Sequence, residues 1–146
     1  MHVRGRRRKN AFTMIELMIV LVIVGILAAA AVPIYRSFVS RAYTAEIISA
    51  CSTVKSAAEL HKAQTGDWPA DVAALENAGL LSSDDFANMT YVTYDASAIT
   101  LDTTDDTVSV TWDTSDGSNG VANLPDDFEY ASVTLNADGS VSYTSR

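Results

Sequence analysis

Residues 12–34 read FTMIELMIVLVIVGILAAAAVPI, and the nature of this stretch decides how the rest of the chain is built. It holds one charge, Glu16, and none from Leu17 to Ile34. At about 1.5 Å of rise per residue, a helix of this length crosses a hydrocarbon core about 30 Å thick. An acid inside such a segment costs about 2.5–3.5 kcal/mol on insertion scales, which makes Glu16 a candidate functional residue in need of a partner. In a lone subunit in lipid the carboxylate is expected to be poorly compensated.

On the N-terminal side lie Arg4, Arg6, Arg7, Arg8 and Lys9, with no acid among residues 1–11. RGRRRK alone also fits a nuclear or nucleic-acid patch. Beside an apolar helix, Lys and Arg stay on the cytoplasmic side, so the chain after the helix is expected to be exported. An ordinary secretory signal peptide has a similar basic and apolar layout, and Ala28 to Ala31 offers a cleavage site. Against it, Glu16 interrupts the apolar region and a helical pattern continues past Pro33.

On the C-terminal side the chain turns amphipathic. Phe38, Ala42, Ala45, Ile48, Cys51, Val54, Ala58 and His61 recur every three or four residues and predict one buried helix face. Gly66 supplies a stop, so the helix is expected from about Phe12 to Gln64, roughly 80 Å at standard rise. A small domain cannot bury all of that, and half must protrude into a membrane or a filament. Tyr35, Phe38 and Tyr43 fit an interfacial belt or helix packing. Cys51 reads as a buried inert thiol, and His61 as a packed histidine.

The remainder is acidic. From Gly66 onward there are 15 Asp and Glu against a single Arg146, within a formal net charge of −8. Such a surface repels nucleic-acid backbones. With one cysteine, no disulfide forms within a chain. Thr65 to Pro69 reads as a turn with Trp68 anchored on the helix. Asp71 caps a short helix from Val72 to Ala78, closed by Gly79. Ser82 to Phe86 is a turn or single helical turn. Met89 to Tyr94 alternates as a strand. Ala98–Leu101 with Thr107–Trp112, and Ser132–Leu135 with Ser140–Tyr143, predict two hairpins. The expected fold is α+β, a long N-terminal helix on a four- or five-stranded antiparallel sheet. Asp113, Asp116, Asp126 and Asp127 match no EF-hand spacing and read as a solvated acidic face rather than a calcium site. Asn88-Met89-Thr90 fits a glycosylation sequon. No catalytic constellation, phosphate loop, CxxC or HExxH is present, so neither an enzyme nor a cofactor or metal is expected.

Ala11 followed by Phe12-Thr13-Met14-Ile15-Glu16-Leu17 resembles the prepilin processing site of type IV pilins and pseudopilins. The resemblance covers Arg6 to about Gly66. It implies a leader, residues 1–11, cut between Ala11 and Phe12, with N-methylation of Phe12. The family usually has Gly before the cut, where this chain has Ala11. It also implies a retained helix, residues 12–34, forming a filament core, an amphipathic half at 35–65, and an acidic head at 66–146. The matching acid, Glu16, is linked in that family to assembly. Across a staggered bundle, the Phe12 amine of one subunit can reach Glu16 of the next and set register, with desolvation offsetting much of the attraction. Gly25 and Pro33 weaken the helix, which fits either the flexibility seen between the matching residues of assembled pili or the ordinary frequency of both residues in membrane helices. The expected function is a pilus-like filament subunit. Its implied partners are its own copies, the prepilin peptidase and methyltransferase, the assembly machinery, and the membrane through residues 12–34. Alternatives are a pseudopilin of type II secretion, whose usual calcium-binding C-terminal pattern is not visible here, and a secreted binding domain with an ordinary signal peptide.

Overall fold

The computed structural model describes residues 12–114 and 130–145. The chain divides into two compact units, residues 1–38 and 39–146. In the first, the described residues from Met14 onward are helical and belong to α1, which runs Met14–Thr65. Apart from Leu21, residues 19–24 are Ile and Val, β-branched and indifferent helix formers in water. Where water is absent, a single segment satisfies its own backbone donors and acceptors only as a helix. Pro33 sits inside α1 without ending it.

In the second unit α1 stops at Gly66, whose φ of +89° only glycine adopts freely and whose N–H reaches the Lys62 carbonyl at 2.8 Å. The helix face that enters the core is Tyr43, Ile47, Ala50, Cys51, Val54, Ala57 and Ala58. This corrects the face expected from the sequence. Phe38 and Ala45 are exposed, and Ala42, Ile48 and His61 are half-buried; only Cys51, Val54 and Ala58 of that set are buried. The reason is geometric. Residues 42, 45, 48, 51 and 54 are spaced by threes, and each such step drifts about 60° round a helix of 3.6 residues per turn. Ala45 lies nine residues before Val54, about 180° away. The observed spacing of 4, 3, 4 and 3 from Tyr43 to Ala57 holds one azimuth.

Asp71 caps α2 (Val72–Asn77) by accepting the Ala74 N–H at 2.8 Å, and Gly79 follows with φ +68°. Ser83–Phe86 form a 3-10 turn under a capping box, Ser82 with Asp85. Lys62 stands 4.4 Å from the Trp68 ring centre and pairs with Asp106, tying the helix end to the G-D-W-P turn and to the first hairpin turn.

The sheet has four strands in the order β1 (Ile99–Asp102), β2 (Ser109–Asp113), β3 (Tyr130–Leu135) and β4 (Val141–Ser145), all antiparallel. Val110 faces Leu135 and Trp112 faces Val133 on the inner side, and these four join the buried stripe of α1 in one core. On the outer side Thr111 faces Thr134, with the hydroxyls 2.8 Å apart. Gly139, at φ +85°, closes the β3–β4 turn, and Lys55 of α1 donates to the Asn136 and Ala137 carbonyls of that turn at 3.1 and 2.7 Å.

Met89–Tyr94 is not a strand, a second correction. Its alternation survives, with Val92 buried between exposed Tyr91 and Thr93. Its backbone donors go elsewhere. The Glu46 carboxylate of α1 accepts N–H bonds from Thr90, Tyr91 and Val92 at 2.8, 2.8 and 3.1 Å. A ladder needs those groups, and Glu46 takes them. The segment lies as a strap against α1, with Tyr91 on Tyr43 (ring centres 5.0 Å) and Tyr94 stacked on Phe86 at 4.2 Å.

Candidate functional site

The N-terminal end of α1 places Glu16 in the first turn of the helix. Its Oε2 accepts the Thr13 N–H at 2.9 Å and the Thr13 hydroxyl at 2.8 Å, while the Thr13 Oγ1 accepts the Glu16 N–H at 3.3 Å. This is a reciprocal capping box. It corrects the expectation of a poorly compensated carboxylate, because two donors from one neighbour satisfy it and the positive end of the helix dipole favours its charge. The sequence carried the signal: Thr13-Met14-Ile15-Glu16 is the T-x-x-E pattern that opens helices.

Phe12 is exposed, and Ala11, with the whole leader, lies outside the described residues. Every large apolar residue from Met14 to Leu27 is at least half exposed or nearly so, Val20 being lowest at 49%. The most apolar 18-residue window of α1 has a mean hydropathy of 3.0 and is 0% buried within the chain. Such a helix is apolar all round, which marks a segment whose solvent is lipid or protein, not water. A side chain at Gly25 would meet nothing within 4 Å, so space within the chain does not dictate that glycine.

The second unit holds no metal-ligand cluster among the described residues. Asp113 ends β2, while Asp116, Asp126 and Asp127 lie outside the described residues. Cys51 is fully buried and burial pushes its thiol up to about 12, so the thiolate needed for reaction is absent at neutral pH. His61 is half-buried, with Nδ1 3.1 Å from the Asp67 carbonyl, and closes the helix end. Burial and the hydrogen bond to Glu76 raise the Tyr94 hydroxyl above its ordinary value, so it stays a donor. Asn88 and Thr90 of the sequon are both exposed. Glu46 was not visible from sequence as the strap's anchor, since its partners are 44 or more residues away.

Residues 6–32 match the prokaryotic N-terminal methylation motif. The chain is 44% identical over 66 residues to the fimbrial protein EcpC of Eikenella corrodens, covering 45% of this chain and 43% of that one. It is 44% identical over 75 residues to the type IV major pilin protein PilE of Neisseria gonorrhoeae, covering 51% and 43%. A fimbrial protein of Pseudomonas aeruginosa is 45% identical over 53 residues, covering 36% and 34%. The chain thus spans less than half the length of these curated relatives.

Proposed function

We propose, from a chain that carries a type IV pilin N-terminus, that this protein is a structural subunit of a pilus-like surface filament. One observation carries the reading: an apolar helix, its apolar window 0% buried in its own chain, begins inside the match to a methylation motif. A prepilin peptidase cuts between Ala11 and Phe12, and Phe12 is N-methylated. In the precursor the helix holds the subunit in the membrane, with the leader cytoplasmic and the head exported. On assembly, residues 12–32 exchange acyl chains for other copies of the same helix, at little change in apolar burial. Association in that setting relies on packing and on polar contacts between helices. Gly25 and Ala28 to Ala31 permit close approach, and Gly25 with Pro33 lets the helix adjust.

Glu16 begins with Thr13 as its hydrogen-bond partner. The amine exposed at Phe12 of a neighbouring copy offers an opposite charge, which in a dry bundle outweighs a neutral donor. The exchange is possible only at one stagger and so sets axial register. The Glu16→Ala variant is expected to insert into membrane normally and to lose about tenfold or more in filament yield, read by immunoblot of sheared filaments. Wild-type yield would remove the register role.

The test of the whole reading is the mass and first residue of the mature protein. A methylated Phe12 start, with filaments visible by electron microscopy after shearing, supports it. A start near Ala30 to Val32 makes the head a secreted domain released from an ordinary signal.

A further inference from the structure

Among the described residues of the second unit, two of the three Lys and Arg are engaged. Lys55 holds the β3–β4 turn and Lys62 pairs with Asp106. Arg41 is exposed, with no hydrogen bond or ion pair among the described residues. Glu59 is likewise exposed and unengaged. The two are 18 residues apart on α1. At about 100° per residue that is five whole turns, so both stand on one meridian of the helix, about 27 Å apart. That meridian faces away from the buried stripe. Ile48, half-buried, and Ser52, exposed, lie within about 20° of it, with exposed Ala45 and half-buried Lys55 within about 40° and exposed Ser56 about 60° away. The Ser52 and Ser56 hydroxyls donate to the Ile48 and Ser52 carbonyls of their own helix, each at 2.9 Å. The back of the helix therefore presents a cation at one end and an anion at the other, with Ile48 and the already bonded Ser52 between them.

We propose that this back face is a docking surface for a second copy of the chain, with Arg41 of one subunit paired to Glu59 of another. The charges themselves select the occupant. Two parallel copies displaced by about 27 Å bring the cation of one beside the anion of the other. A head whose remaining exposed charges are mostly acidic gains an attractive contact there and repels elsewhere, so the pair favours one stagger over others. The inference rests on the filament reading and adds a specific contact to it. It lies within α1 but outside the apolar segment and Glu16.

The experiment uses the full chain in a host that supplies prepilin peptidase and pilus assembly, with sheared filaments quantified. Arg41→Glu and Glu59→Arg are each expected to lower the yield about tenfold, and the double reversal to return it to within about threefold of wild type. Single reversals without effect, or a double reversal no better than the singles, overturn the pairing. Should a reversal unfold the head by circular dichroism, the pair Arg41→Cys with Glu59→Cys decides. Within one chain the two sites are too far apart for a disulfide, which needs Cα atoms within about 7 Å. An oxidised ladder of multimers then supports the contact and its absence overturns it. Wild-type chain that makes no filament at all overturns the filament reading first, and this contact with it.

Discussion

The two ends of α1 are made of similar residues and meet opposite fates. Ile23 and Ile47 stand on the same helix, yet Ile47 is fully buried and Ile23 is 52% exposed. The difference lies in what surrounds each in sequence. Around Ile47 the apolar positions recur at 4, 3, 4 and 3, with polar residues between, so the helix has a front and a back. Around Ile23 every position is apolar, so there is no front for a single domain to cover. Patterned hydrophobicity finds its partners within the chain, and unpatterned hydrophobicity has to find them outside it.

The same substitution at the two positions gives the largest contrast. Ile47→Ala is expected to destabilise the head by about 2–5 kcal/mol, and Ile23→Ala to leave its unfolding within about 0.5 kcal/mol of wild type. Urea unfolding of the full chain in detergent, followed by circular dichroism, measures both, and equal effects would abolish the distinction. Glu46→Ala comes next, at about 2 kcal/mol, since a charged acceptor of three backbone bonds is lost from a half-buried site. Hydrogen exchange at Thr90, Tyr91 and Val92 should accelerate while β2 and β3 stay protected. Asp71→Ala removes one helix cap and is expected to cost about 1 kcal/mol, with no effect on the strap.

The smallest effect is in acid. The hydrogen bond and charge of Lys62 hold the Asp106 carboxyl below its ordinary value of 3.8. A lowered folded value means the contribution is present above about pH 4 and is lost as the pH falls through the folded value. Asp106→Asn should therefore lower the neutral plateau of the head's melting temperature slightly and flatten its acid limb below pH 4, so that variant and wild type converge in acid. A variant that still lost stability as steeply in acid would show that other carboxylates govern that limb.

Local signals were legible in the sequence. Gly66, Asp71, Gly79 and the Asn136–Gly139 turn end or begin elements as their residue types dictate, and both hairpins form in the expected places. The azimuth of the buried face was not legible from a run of threes, because small errors of spacing accumulate round a helix. The strap was not legible because Met89–Tyr94 has the alternation of a strand, and only a carboxylate 44 residues earlier diverts its donors. At the N-terminus, Glu16 reads first as an isolated acid, although the T-x-x-E spacing from Thr13 already signals the reciprocal bonds that the structure shows. The leader and residues 115–129, with the loop aspartates, lie outside the described structure.

The strap has one more consequence. Met89-Thr90-Tyr91-Val92-Thr93-Tyr94 is uncharged, free of proline and rich in β-branched and aromatic residues, the composition that stacks into cross-β fibrils when its backbone is free. By occupying three consecutive amides, Glu46 keeps that stretch of backbone from offering a free strand edge.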